Sequence, residues 1–149
     1  MDISFIKNKE LVLKAYGRWP SFHDFEIIKV EFDRALDGSK GDGPFITVHL
    51  HMWEIIGKTA DGTHFRYSNH HLVILRFNRV AEYTFDGFNH QNVIDDWEVE
   101  AVTDERGNLY YQVDLPAVYG VDLRIKCQDI EVLSLTPGLP RDSVYKDSG

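Results

Sequence analysis

Two histidines separated by one residue are the first side chains in this sequence that could do chemistry. His49 and His51 lie in residues 45–53, where apolar and polar residues alternate. Successive side chains of a strand point to opposite faces, so a strand here would place both imidazoles on one side. Because imidazole is a common metal ligand, His49 and His51 are the candidate metal-binding residues of the chain.

The surrounding residues weaken that interpretation. With Gly43 six positions before His49, the stretch resembles the first half of a cupin metal motif, which also needs a glutamate four or five positions after its second histidine. Glu54 follows His51 by three, which places it on the opposite face of a regular strand. The second half of the motif is missing, and the apolar residues occupy the other face, so we expect both histidines to face solvent or a groove. We therefore predict no metal and no cofactor, and keep a metal-dependent, cupin-like β-barrel enzyme using His49 and His51 as the alternative function.

Nucleophilic catalysis has equally little support. Ser21, His23 and Asp24 have the residue types of a hydrolase triad, but such groups normally converge from distant segments, and three near neighbours cannot readily align. Cys127 alternates in phase with Val121, Leu123 and Ile125, which is typical of a small buried residue. The sequence therefore predicts no catalytic residue.

Two strings of mixed aromatic and polar residues fit no regular element. The first is WPSFHD at residues 19–24 and the second is GFNHQNVI at residues 87–94. Short polar side chains in such strings can satisfy nearby backbone groups while the rings anchor the segment, so we predict two structural corners; a surface recognition site is the alternative. Burial of Trp19, His23 and Asn92 with their polar atoms paired would favour the corners. The residues assigned to the two strings are Trp19, Pro20, Ser21, Phe22, His23, Asp24, Gly87, Phe88, Asn89, Gln91 and Asn92.

The elements that would position these residues are mostly strands. Residues 10–16 are rich in helix formers and stop at Gly17, which predicts a short N-terminal helix. The rest of the chain alternates or is continuously apolar over short runs, with a hairpin signature at residues 104–108 between two strands. Strands at close spacing without helical crossovers predict a mainly β protein, an antiparallel sheet folded as a sandwich or an open barrel.

Length and charge restrict the function classes. The 149 residues suggest one globular domain at residues 1–136, followed by a loosely ordered tail at residues 137–149. The formal net charge of −8 disfavours nucleic acid and favours a basic protein partner. A single cysteine, and no apolar run of signal-peptide or membrane-spanning length, predict a cytoplasmic protein with no membrane partner.

The chain resembles a bacterial family, immunity protein 50 of polymorphic toxin systems. The resemblance rests on WPSFHD entering a strand, on the strand containing His49 and His51, and on residues 87–92 after a predicted hairpin at residues 77–85. It implies a small cytoplasmic protein that binds and neutralises a cognate toxin domain without catalysis. It carries no functional residues with it, so the toxin-binding surface is unknown at this point. Trp53 and Tyr111 are candidate exposed anchors, and a homodimer is left open.

Overall fold

Most of this molecule consists of strands in which apolar and polar side chains alternate. A computed structural model describes residues 2–35 and 41–141. The single described helix, α1, covers Glu10–Tyr16 and ends at Gly17, whose φ of 77° lets its N–H donate to Leu13 O at 2.7 Å. Within residues 2–35 and 41–141, helical structure of bilayer-spanning length and hydropathy is absent.

The strands form two sheets. Their bounds are β1 Ile6–Lys7, β2 Glu26–Asp33, β3 Phe45–Lys58, β4 Phe65–Asn78, β5 Glu82–Asp86, β6 Val93–Ile94, β7 Glu98–Thr103, β8 Leu109–Leu115, β9 Ala117–Tyr119, β10 Asp122–Cys127 and β11 Asp129–Pro137. The large sheet has the order β1-β11-β4-β3-β2-β6-β9, and the small sheet has the order β5-β10-β8-β7. Every pairing is antiparallel except that of β1 with β11.

The apolar faces of both sheets contribute to one hydrophobic cluster. On β3, Ile46, Val48, Leu50 and Met52 are all buried, as their alternation predicts. Cys127 is fully buried on β10, in phase with Leu123 and Ile125. The two sheets do not close into a barrel, so the mainly β prediction is confirmed in its sandwich-like form.

Two predicted connections have different outcomes. The hairpin at residues 104–108 is confirmed, because β7 and β8 pair antiparallel on either side of it. The hairpin at residues 77–85 is wrong: β4 belongs to the large sheet, whereas β5 pairs with β10 in the small sheet. The chain changes sheets between Asn78 and Glu82, which the local pattern of apolar residues cannot reveal.

The division into a domain at residues 1–136 and a tail at residues 137–149 stays a prediction. Pro137 is the last residue of β11, and the Gly138 N–H donates to His70 O at 3.0 Å. Residues 142–149 of the predicted tail lie outside the described residues.

Candidate functional site

The first string of residues folds into an aromatic cluster where the chain passes from α1 to β2. Phe22 is buried between Trp19 and Trp97, with ring centroids 5.5 and 4.6 Å away. Phe22 and Asp24 both have φ of 68°, a left-handed conformation that is uncommon for residues other than glycine. Asp24 N–H donates to Ile94 O at 2.8 Å and so links the turn to β6.

Ser21, His23 and Asp24 do not form a catalytic triad. The Ser21 hydroxyl accepts a hydrogen bond from the His23 backbone N–H at 3.3 Å, as in a turn stabilised by serine. His23 Nδ1 lies 3.7 Å from Asp24 Oδ1 and 3.8 Å from Asp95 Oδ1, with all three side chains more than half exposed. These distances exceed those of a hydrogen bond, so the imidazole is not held in the orientation that a general base needs.

A groove of about 460 Å³ runs beside this turn, between residues 16–25 and the end of β3. Its lining mixes charged and aromatic groups, so it could accept a polar segment of another molecule. The lining residues are Tyr16, Arg18, Pro20, Ser21, His23, Asp24, Phe25, Trp53, Glu54 and Ile55.

The second string is organised around one buried amide, that of Asn92. Its Oδ1 accepts hydrogen bonds from Asn89 N at 3.0 Å and Val121 N at 3.2 Å. Its Nδ2 donates to Asn89 O at 2.7 Å and reaches Ile27 O at 3.5 Å. Asn92 therefore fixes the loop before β6 against both β2 and the start of β10.

The burial test for the two strings gives a divided result. Asn92 is buried with its amide paired, as the structural interpretation requires. Trp19 is also buried, but its Nε1 has no hydrogen-bond partner among the described residues. His23 is exposed. The rings of Trp19 and Phe22 and the amide of Asn92 are thus buried, while His23 is exposed, and the structural role of the two strings stays a prediction.

The expectation that both histidines of β3 face solvent or a groove is wrong for His51. His51 is fully buried, with its ring 4.9 Å from that of Trp53 and 5.1 Å from that of His70. His51 Nε2 and His70 Nδ1 lie 2.9 Å apart, so one of these atoms donates and the other accepts. Burial lowers the pKa of His51 to about 4, with a smaller contribution from His70, which keeps the ring neutral near pH 7.

His49 has a different environment from His51, although both lie on the same face. Its Nε2 donates to Glu31 Oε1 on β2 at 2.7 Å, and this bond lowers the pKa of Glu31. In residues 2–35 and 41–141, no three His, Cys, Asp or Glu side chains are grouped so that they could hold a metal ion. The described residues therefore do not supply the ligand set that a cupin-like enzyme would require.

The two aromatic residues that the sequence suggests as exposed anchors, Trp53 and Tyr111, are not among the exposed residues. Trp53 is buried beside His51, and Tyr111 is partly buried and stacked on Phe5 with ring centroids 4.0 Å apart.

Burial raises the pKa of the Cys127 thiol to about 12, so the only cysteine is a poor nucleophile.

Four other aromatic residues are exposed together where β2 faces β5. We call this cluster the sandwich mouth; its members and exposed fractions are Phe32 (47%), Tyr83 (54%), Phe85 (37%) and Phe88 (45%). Phe32 lies 5.1 Å from Tyr83 and 5.5 Å from Phe85 between ring centroids, and Phe85 stacks on Phe88 at 5.8 Å. Contiguous exposed aromatic surface of this kind is typical of protein-binding sites.

Sequence reasoning missed the sandwich mouth for an identifiable reason. The alternation of residues 80–85 places Tyr83 and Phe85 on one face of β5, and this part of the cluster can be read from the sequence. What it could not show is that the opposite sheet leaves this face partly uncovered.

Comparison with known protein families gives one match. The model of the family described as Immunity protein 50 matches residues 8–138, a range that runs from just before α1 to just after β11. A search of curated proteins finds no match.

Proposed function

Since this chain belongs to the immunity protein 50 family, we propose that it binds and neutralises a cognate bacterial toxin domain and has no catalytic activity of its own. The observation that carries the proposal is the extent of the match, because residues 8–138 include every strand of the two sheets except β1, together with both strings of aromatic and polar residues. The toxin is the partner that such a family implies.

Inhibition by binding requires a complementary surface rather than a reactive group. The chain offers such a surface in its exposed aromatic cluster and in its formal net charge of −8. That charge favours encounter with a basic protein and disfavours nucleic acid. We place the protein in the cytoplasm, where its lone cysteine, Cys127, would stay reduced.

The candidate catalytic groups support the same proposal. Ser21 is engaged by the backbone of its own turn, His51 is buried and neutral near pH 7, and Cys127 is buried with a raised pKa. Each of these groups is in an environment that suits a structural role. A reactive nucleophile would need a neighbouring base or a lowered pKa instead.

The test of this proposal is co-expression with the toxin domain encoded by the neighbouring gene. Cells that produce the toxin should survive only when this chain is also produced. A catalytically inactivated toxin domain should bind the purified chain with a defined stoichiometry in titration calorimetry. A toxin from an unrelated system serves as the control and should remain lethal. Equal killing with and without this chain, together with no heat of binding, would reject the proposed function.

A further inference from the structure

Three of the four aromatic rings of the sandwich mouth, those of Phe32, Tyr83 and Phe85, belong to the interior faces of the two sheets. Tyr83 and Phe85 on β5 lie opposite Ile125 and Leu123 of β10, and paired residues share a face of the sheet. Ile125 and Leu123 are both buried. Tyr83 and Phe85 thus continue the core outward to the surface.

The same relationship holds for the large sheet. Phe32 on β2 lies opposite Ile46 of β3, which is buried in the core. The apolar interior therefore extends without interruption from Ile46 to Phe32 and across to Phe85. A side chain of a partner that packed on these rings would enlarge an existing core rather than create an isolated contact.

The strands that carry these rings have free edges within the part of the chain that the structure describes. β5 is an edge strand that pairs only with β10. β2 pairs with β3 along its length, but β6 reaches it only at Glu26 and Ile27, so residues 28–33 have no strand on that side. Unpaired strand edges of this kind are sites where a second chain can add hydrogen bonds.

The charge of these two strands indicates what the partner should be. Together β2 and β5 carry five carboxylates, Glu26, Glu31, Asp33, Glu82 and Asp86, against a single lysine, Lys29. Four of them alternate with the rings of Phe32, Tyr83 and Phe85 and so lie on the outer faces of the strands, where Glu31 pairs with His49 and Glu82 lies opposite Lys126. With Asp86 and the formal net charge of −8, this edge of the molecule favours a partner with a basic surface.

A second electrostatic feature points the same way. Asp86 at the end of β5 lies directly opposite Asp122 of β10. Like charges facing each other across two strands destabilise the pairing, and no ion pair to Asp86 is present within residues 2–35 and 41–141. A cationic side chain placed here would relieve that repulsion.

The loop beside Asp86 is also held in position before any partner arrives. The Asn92 amide bonds to the backbone N–H and carbonyl of Asn89 and to the N–H of Val121, and Phe88 stacks on Phe85 directly before this segment. A fixed loop loses less conformational entropy on binding than a mobile one.

Resting on the proposed function, we infer that the toxin docks on the sandwich mouth with a basic surface that places an aromatic or aliphatic side chain among Phe32, Tyr83 and Phe85. The cations of that surface reach around the free edge of β5 to the pair formed by Asp86 and Asp122, on the outer face of the small sheet. This occupant fits both properties of the site, because a purely apolar partner would leave the repulsion between Asp86 and Asp122 in place.

The competing surface on this molecule is the extension of β3 and β4 beyond β2. That two-stranded extension exposes Ile55, Ile56 and Phe65, and Phe65 has an exposed fraction of 51%, close to that of Tyr83. It continues beyond the Glu26 end of β2, whereas Phe32 lies near the opposite end of that strand. Phe65 therefore supplies a matched control for an aromatic residue that is exposed but outside the proposed site.

The experiment compares Tyr83→Ala, Phe88→Ala and Glu82→Lys with the controls Phe65→Ala and Glu105→Lys, using the full chain and the inactivated toxin domain of the neighbouring gene. The two mouth alanine variants should weaken Kd by at least about 30-fold, as truncated hot-spot residues do. Glu82→Lys should lower the association rate by about 10-fold at low salt, and less at high salt. Phe65→Ala and Glu105→Lys should stay within about 3-fold of the unmodified chain. Circular dichroism and thermal melting confirm that each variant is folded.

The outcomes separate this inference from the function on which it rests. If the unmodified chain does not bind the toxin, the proposed function fails. If it binds and the mouth variants bind equally well, or if Phe65→Ala alone loses binding, the docking surface lies elsewhere and this inference is overturned. Light scattering decides whether a second copy occupies the mouth: a dimer that Phe85→Ala dissociates would also overturn it, whereas a monomer leaves the surface open for the toxin.

Discussion

Phe32 of β2 and Phe85 of β5 meet edge to face between the two sheets, with ring centroids 5.5 Å apart and ring planes at 86°. No backbone pairing joins these two strands, so the ring contact is a direct link between the sheets at the sandwich mouth. Edge-to-face pairs stabilise folded proteins by about 0.5–1.5 kcal/mol beyond the area they bury.

A double-mutant cycle on Phe32→Ala and Phe85→Ala should therefore show a coupling free energy of about 1 kcal/mol in chemical denaturation. The control cycle pairs Phe85→Ala with Leu109→Ala, since Leu109 is exposed at the far end of β8 and should give additive effects. Additivity in both cycles would mean that the contact contributes nothing to stability.

Asn92→Ala should destabilise the protein by about 2–4 kcal/mol, because it leaves the N–H groups of Asn89 and Val121 without their acceptor. Urea unfolding followed by tryptophan fluorescence measures the change. Gln91→Ala is the matched control: its side chain is exposed and its own N–H bond to Asn89 Oδ1 at 2.7 Å is retained. That control should change stability by no more than about 0.5 kcal/mol. Equal effects of the two substitutions would argue against a structural role for the Asn92 amide.

Gly120→Ala should cost more stability than Gly107→Ala, although both glycines have positive φ of 78° and 82°. A Cβ at Gly107 would meet nothing within 4 Å, so its alanine variant should lose only the about 1–2 kcal/mol of left-handed backbone strain. A Cβ at Gly120 would clash with Asn92 Oδ1 and Gln91 O, which should add about 1–3 kcal/mol. Thermal melting of the two variants side by side measures the difference, and identical losses would show that the loop moves aside freely.

Acidification should destabilise the protein through His51. Its pKa is lowered from 6.5 to about 4 in the folded state, so between these values the unfolded chain binds a proton that the folded chain does not. The contribution of neutral His51 to the free energy of unfolding is therefore fully present above pH 6.5. It declines as the pH falls toward 4, by up to about 3 kcal/mol. Carboxylates add their own losses in acid, so the measurement must isolate the histidine.

The comparison that isolates it is the loss of unfolding free energy between pH 7 and pH 4 in the unmodified chain, in His51→Gln and in His90→Gln. His51→Gln should lose about 3 kcal/mol less than the unmodified chain over this range. His90 is exposed, so its variant should follow the unmodified chain. Parallel curves for all three proteins would show that protonation of His51 is not linked to folding.

Much of the fold could be predicted because alternation reports directly on which face of a strand is buried. The inner residues of β3, the hairpin between β7 and β8 and the burial of Cys127 all follow from that signal. The helix end at Gly17 follows from its freedom to adopt positive φ.

The rest depends on which strands become neighbours, and a local pattern carries no such information. His51 lies on the polar face of β3, yet it is buried because Trp53 and His70 pack against its ring. Tyr83 and Phe85 lie on an interior face, yet they are exposed because β5 joins the small sheet at its edge. In both places the position of a neighbouring element reverses the exposure that alternation alone would suggest.

The edge position of β1, which pairs with β11 alone, has a practical consequence for testing the proposed toxin binding. Four inter-strand steps separate β1 from β2 in the large sheet, a distance of roughly 19 Å at about 4.8 Å per step. An affinity handle or fluorophore joined ahead of Ile6 would therefore emerge at the β1 edge of that sheet, four strands away from Phe32 on β2. A sensor chip that captures the protein by this end would present the aromatic rings and the acidic strands to the incoming analyte.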